Sequence, residues 1–181
     1  SAVKTLITNA TAAGIDTDWT VILEDATVSI TDANLVNAAT SGEITATIVT
    51  ESANNLATLE GTGNAYTITT SGTDATAAEL NAIDAATTQN VDASSIETIT
   101  SSAVSAVKTL ITNATAAGID TDYTVTLSDD SIAATDITTV DTHTSGLVTV
   151  NATTITGDHA DITTAISSAG TAISGSIAVT S

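Results

Sequence analysis

The chain has no cysteine, proline, methionine, phenylalanine or arginine, and its only cations are Lys4 and Lys108. Without cysteine there is no disulfide scaffold, zinc knuckle, iron–sulfur cluster or thiol nucleophile. Two cations against 21 acidic residues, a net charge of -19, exclude a nucleic-acid binder that works by neutralising phosphates. The same shortage argues against docking on anionic lipid. No apolar run approaches the 18 or so residues that span a bilayer. Aromatics are 2% of the chain, which in a highly charged sequence can signal disorder. Here charged residues make up only 13% and hydrophobic residues 42%, so a core is available. It is a slim one, because much of the apolar count is alanine.

What is present is threonine and alanine, 41 and 32 of the 181 residues, and repetition. Residues 1–21 read SAVKTLITNATAAGIDTDWTV and residues 105–125 read SAVKTLITNATAAGIDTDYTV; they differ only at Trp19 against Tyr123. Inside this long repeat lies a shorter one. The apolar anchors Val3, Leu35, Leu56, Leu80, Val107, Ile137 and Ile162 each follow a small polar cluster, at gaps of about 21 to 32 residues. Apolar partners three residues on, at Leu59, Ile83, Leu110 and Val140, predict helices, and Val104, Val107 and Ile111 share one helical face. Ser52, Thr76, Ser102, Thr135 and Asp158 stand where N-caps belong. Between helices, runs such as EITATIVT, AYTITT and LVTVNATTIT alternate Val/Ile with Thr and predict strands, the last with a corner at Asn151-Ala152. A similar corner is expected at Asp92-Ala93.

These patterns predict an α/β solenoid of strand, corner, strand and helix, with parallel ladders running through one continuous body over residues 1–181. The alternative is an all-β helix whose helical segments are only turns. The chain starts inside a repeat, and no polar capping repeat is evident. The expectation is therefore an excerpt of a longer array, partnered end to end by itself or by neighbouring repeats.

The phrases AAELNAIDAATTQNVDASSIETIT and VNATTITGDHADITTAISSAG resemble the Thr/Ala/Asp-rich repeat modules of very large secreted bacterial surface proteins, notably those of marine cyanobacteria. The resemblance implies an extracellular or cell-surface location and a structural or adhesive role. It brings no catalytic residues. The glycine-rich nonapeptide of calcium-binding RTX rolls is absent.

Candidate sites follow from residue chemistry. Asp16 and Asp18 in one copy of the repeat, and Asp120 and Asp122 in the other, sit in Gly-Ile-Asp-Thr-Asp turns that offer the hard oxygens calcium takes. Glu24, Asp25, Asp129 and Asp130 are near enough in sequence to complete such a shell. The competing expectation is an acidic loop in an acidic protein. His143 and His159, far apart in sequence, are expected as solvated surface residues. Trp19 and Tyr123, each just before a strand, are expected to pack over the end of the coil rather than to stack on a sugar or a neighbouring molecule. Outward Thr45, Thr67, Thr126 and Thr149 would form the threonine array that an ice-binding surface needs. No nucleophile elbow, P-loop, dinucleotide fingerprint or zinc-protease motif occurs, which points away from an enzyme. The sequence thus leads to a structural segment of a stalk, fibre or surface layer, with a glycan- or ice-binding adhesin segment as its rival.

Overall fold

The structure is a computed structural model that describes residues 2–168, 170–173 and 178–180. Helices α1 (Ala2–Ala12), α2 (Ile30–Asn37), α3 (Ala53–Leu56), α4 (Ala77–Ala86), α5 (Val104–Thr112), α6 (Ala114–Ala117), α7 (Ala134–Asp141) and α8 (His159–Ser167) are interspersed with short strands. The strands are β1 (Val21–Ile22), β2 (Ile44–Thr47), β3 (Glu51–Ser52), β4 (Ala65–Thr67), β5 (Thr70–Ser71), β6 (Asp74–Ala75), β7 (Thr98–Ser102), β8 (Thr124–Leu127), β9 (Ser131–Ala133), β10 (Val148–Val150), β11 (Thr154–Thr156), β12 (Thr171–Ile173) and β13 (Ala178–Thr180). The last predicted strand run, residues 176–181, is described only where β13 lies.

This arrangement corrects the expected solenoid, and its all-β alternative with it. Among the described residues the strands form four separate sheets, in the orders β1-β2-β4, β12-β10-β8-β7-β6, β13-β11-β9 and β3-β5, rather than ladders running through the molecule. The fold is mixed α/β with several short parallel sheets. The cause is local. Strands of two to five residues carry too few backbone bonds to keep one register. Between β7 and β8 the register shifts at Ile99/Ser102, and residues 64, 69, 87 and 92 meet only as isolated bridges. Real helices, with α4 at ten residues, exclude the all-β reading.

Side-chain periods match the elements they form. In β2, β8 and β10 every second residue points inward: Ile44 and Ala46, Val125 and Leu127, Val148 and Val150. Helix α4 buries Ala77, Leu80, Ile83 and Ala86, and α7 buries Ala134, Ile137 and Val140, a stripe at three-residue spacing. In α2 the buried residues are Ala33 and Val36, so the anchor expected at Leu35 is displaced by one position. In α5 they are Val107 and Leu110, while Val104 and Ile111 are only half-buried. Thr76 forms a full capping box with Glu79, and Asp158 caps α8. Ala103 and Ala133 stand at the N-caps of α5 and α7 in place of the expected Ser102 and Thr135. Helix α5 is capped from elsewhere: Val104 N–H donates to the Asp129 carboxylate at 2.6 Å.

Neighbouring strand–helix units are joined by a recurring clip. Thr40 Oγ1 donates to the Trp19 carbonyl and accepts from Gly42 N–H at 3.0 Å. Thr144 Oγ1 does the same with the Tyr123 carbonyl and Gly146 N–H, again at 3.0 Å. Thr87 Oγ1 donates to the Tyr66 carbonyl at 2.7 Å and accepts from Gln89 N–H at 3.1 Å. The glycine after two of these clips is forced: a Cβ on Gly42 or Gly146 would overlap the Trp19 or Tyr123 carbonyl.

Candidate functional site

The predicted calcium ligands lie in the turns that follow α1 and α6. Asp16, Asp18, Asp120 and Asp122 are all exposed, and Asp16 Oδ1 accepts from Thr17 N–H at 2.9 Å in a local turn. Asp129 is used as the cap of α5, and the Asp130 carbonyl accepts from Thr153 and Thr154 N–H. Among the described residues no group of three or more His, Cys, Asp or Glu side chains lies close enough to hold a metal ion. His143 and His159 are exposed, as expected, on separate elements.

The aromatics are core-facing. Tyr123 is 3% exposed, and burial raises its pKa. Trp19 is half-buried, beside a depression lined by Ile7, Ala10, Ile15 and Ala39. Tyr66 was not singled out by sequence reasoning, yet it is the largest fully buried side chain. Its hydroxyl has no hydrogen-bond partner, and burial pushes its pKa up to about 12. The alternation in AYTITT, which points every second residue inward, was the signal that could have found it.

The threonines expected in one array are only partly aligned. Thr149 lies opposite Thr126, but its other neighbour is Ala172, and Thr45 lies opposite Ala65. Two carboxylates respond to their settings. Burial alone would raise the Glu79 pKa, but hydrogen bonds from the Thr76 backbone, Asn54 and the Thr76 side chain bring it below the usual range. Asp84 moves the other way: burial raises it, and the hydrogen bond from Asn113 offsets only part of the rise. The Lys108–Asp136 ion pair, at 2.6 Å, is solvent-exposed.

What the polar groups converge on is the junction between units. Among the described residues the buried polar side chains are Thr40, Asn64, Thr70, Thr87, Ser102 and Thr144. Each has a partner 20 to 27 positions away. Ile44 N–H donates to Asn64 Oδ1, whose Nδ2 donates to Asn37. Thr70 Oγ1 meets Ser95 Oγ, Ala77 N–H donates to Ser102 Oγ, and the remaining three are the clips. The chain matches no protein-family model, no curated protein and no solved structure.

Proposed function

We propose that the chain is a structural repeat segment of a secreted bacterial cell-surface protein, serving in a stalk, fibre or surface layer. The observation that carries this reading is the use of the buried polar groups. Among the described residues, each of the six buried polar side chains named above makes a hydrogen bond that holds one unit to another. A binding or catalytic site spends such groups on a ligand, at a cost in stability. The exterior supports the same reading: a net charge of -19 keeps repeated copies soluble and apart. Among the described residues no helix is long and apolar enough to cross a membrane.

The test is a panel of glycans, ice-affinity partitioning and calcium titration, each read for saturable binding by the folded chain. A structural segment leaves all three flat. Saturable binding to any of them overturns the reading and favours the adhesin.

A further inference from the structure

Three helices end on the same kind of lock. Counting from the N-caps Ser29, Thr76 and Ala133, the residue eight places on is Asn37 in α2, Asp84 in α4 and Asp141 in α7. Each lies in the last turn of its helix and accepts from the unit that follows. Asn64 Nδ2 donates to Asn37 Oδ1 at 3.2 Å, and Asn113 Nδ2 donates to Asp84 Oδ2 at the same distance, 3.2 Å. Asp141 takes two hydroxyls, Ser168 Oγ at 2.6 Å and Thr171 Oγ1 at 3.2 Å. The α2 lock is neutral; the other two are carboxylates. A carboxylate in the last turn faces the negative end of the helix dipole. Asp84 is the less compensated of the pair, because it is half-buried and a side-chain amide alone serves its carboxylate. The elements packed most closely on α4 are α3, α5, α6 and β7. Of these, α3, α6 and β7 carry no ionisable side chain, and on α5 that group is Lys108, held at 2.6 Å by Asp136 of α7. On α4 itself Glu79 is engaged at the opposite end, with Thr76 and Asn54. Among the described residues no ion pair answers the charge of Asp84.

The donor stands at a bend. Asn113 is where α5 gives way to α6, at φ -101° and ψ 13°, and its side chain makes no cap to α6 because it is spent on Asp84. Just beyond the bend the Gly118 carbonyl accepts from Ala93 N–H at 3.1 Å, so the bend also seats this unit on the one before it. We propose that Asp84 and Asn113 form an acid-tightened latch between α4 and the α5–α6 bend. With Asp84 neutral the pair matches the Asn37–Asn64 lock. With Asp84 ionised the junction holds an unanswered charge and opens more readily. Burial raises the Asp84 pKa, and the Asn113 hydrogen bond offsets only part of the rise. The folded value therefore lies above the unfolded one, so the contribution is fully present below the unfolded value and is lost as pH rises through the folded one. Glu79 has the reverse sign, since its folded value is lowered. One helix thus holds an N-terminal cap that acid weakens and a C-terminal latch that acid tightens. The latch concerns how the units hold together and does not depend on the role proposed for the segment.

Carboxyl carbon NMR titration of the full chain, with hydrogen exchange of residues 113–118 over the same pH range, tests this. The Asp84 carboxyl is expected to inflect above the ordinary aspartate value, and Asn113→Ala, which removes the donor, to move the inflection higher still. Exchange across 113–118, corrected for intrinsic rate, is expected to slow by roughly 2- to 10-fold as Asp84 takes up its proton, the scale of one hydrogen bond's net worth. Asp84→Asn is expected to show the slow exchange already at neutral pH and to lose the pH response. Its stability should also fall more steeply than wild type toward acid, the opposite of Glu79→Gln; a role in packing alone would leave the two profiles parallel and overturn the latch. An Asp84 inflection at or below the ordinary value overturns it without any variant, as does the same pH response at 113–118 in wild type and Asp84→Asn.

Discussion

At the residue scale the chain economises on polar burial; among the described residues the Tyr66 hydroxyl and Asn81 Oδ1 are buried without a hydrogen-bond partner. The Tyr66 hydroxyl sits in a fully buried position. Leaving such a group unsatisfied costs roughly 1–3 kcal/mol. Tyr66→Phe is therefore expected to stabilise the fold by about 1 kcal/mol, seen as a higher denaturation midpoint at unchanged slope. The same residue sets a pH dependence. A phenol that ionises near 10 when unfolded and at about 12 when folded contributes stability that is present below pH 10 and drains away as pH rises between those values. Melting curves across that window should show a shallower decline in Tyr66→Phe than in wild type; parallel declines would refute the assignment. Thr144 is the opposite case, a buried hydroxyl that both donates and accepts. Thr144→Val keeps the volume, strands two backbone groups and is expected to cost about 1–3 kcal/mol in chemical denaturation.

At the element scale, helices were legible where apolar residues recur at three-residue spacing, as in α4, α5 and α7. The strand pairs flanking Asn151-Ala152 were legible from alternation. The division into four sheets was not legible, because register depends on strand lengths of two to five residues, which composition does not specify. Nor were the clips, since one threonine among 41 carries no mark of the carbonyl it meets 21 positions away. The acidic turns were legible as turns, but their exposed carboxylates do not converge. Helix α4 shows how a cap reads in solution. Glu79 is held below its usual pKa, so its contribution is present above the unfolded value and lost as pH falls through the folded one. Glu79→Gln is expected to flatten the acid side of the stability profile; an unchanged profile would contradict the capping role. Glycine separates the two copies of the block. Both Gly14 and Gly118 have positive φ, +66° and +63°. Alanine at Gly14 meets only the backbone penalty of about 1–2 kcal/mol. At Gly118 it adds overlap with Val91, so its melting temperature should fall well below that of Gly14→Ala.

At the scale of the whole molecule, stability comes from what each unit lends the next. The buried residues form one continuous hydrophobic cluster, fed by nearly every helix and strand. The duplicated block is the internal control, for residues 2–18 hold one helix, α1, where the same sequence at 106–122 is divided between α5 and α6. Hydrogen exchange of the full chain measures this most directly. Intrinsic rates within residues 1–18 and 105–122 are the same, and peptides extended through Trp19 or Tyr123 distinguish the copies by mass. Slower exchange across 105–122 than across 1–18 in dilute, low-salt solution is the predicted result, because only tertiary covering differs. Equal protection of the two copies under those conditions would contradict the account.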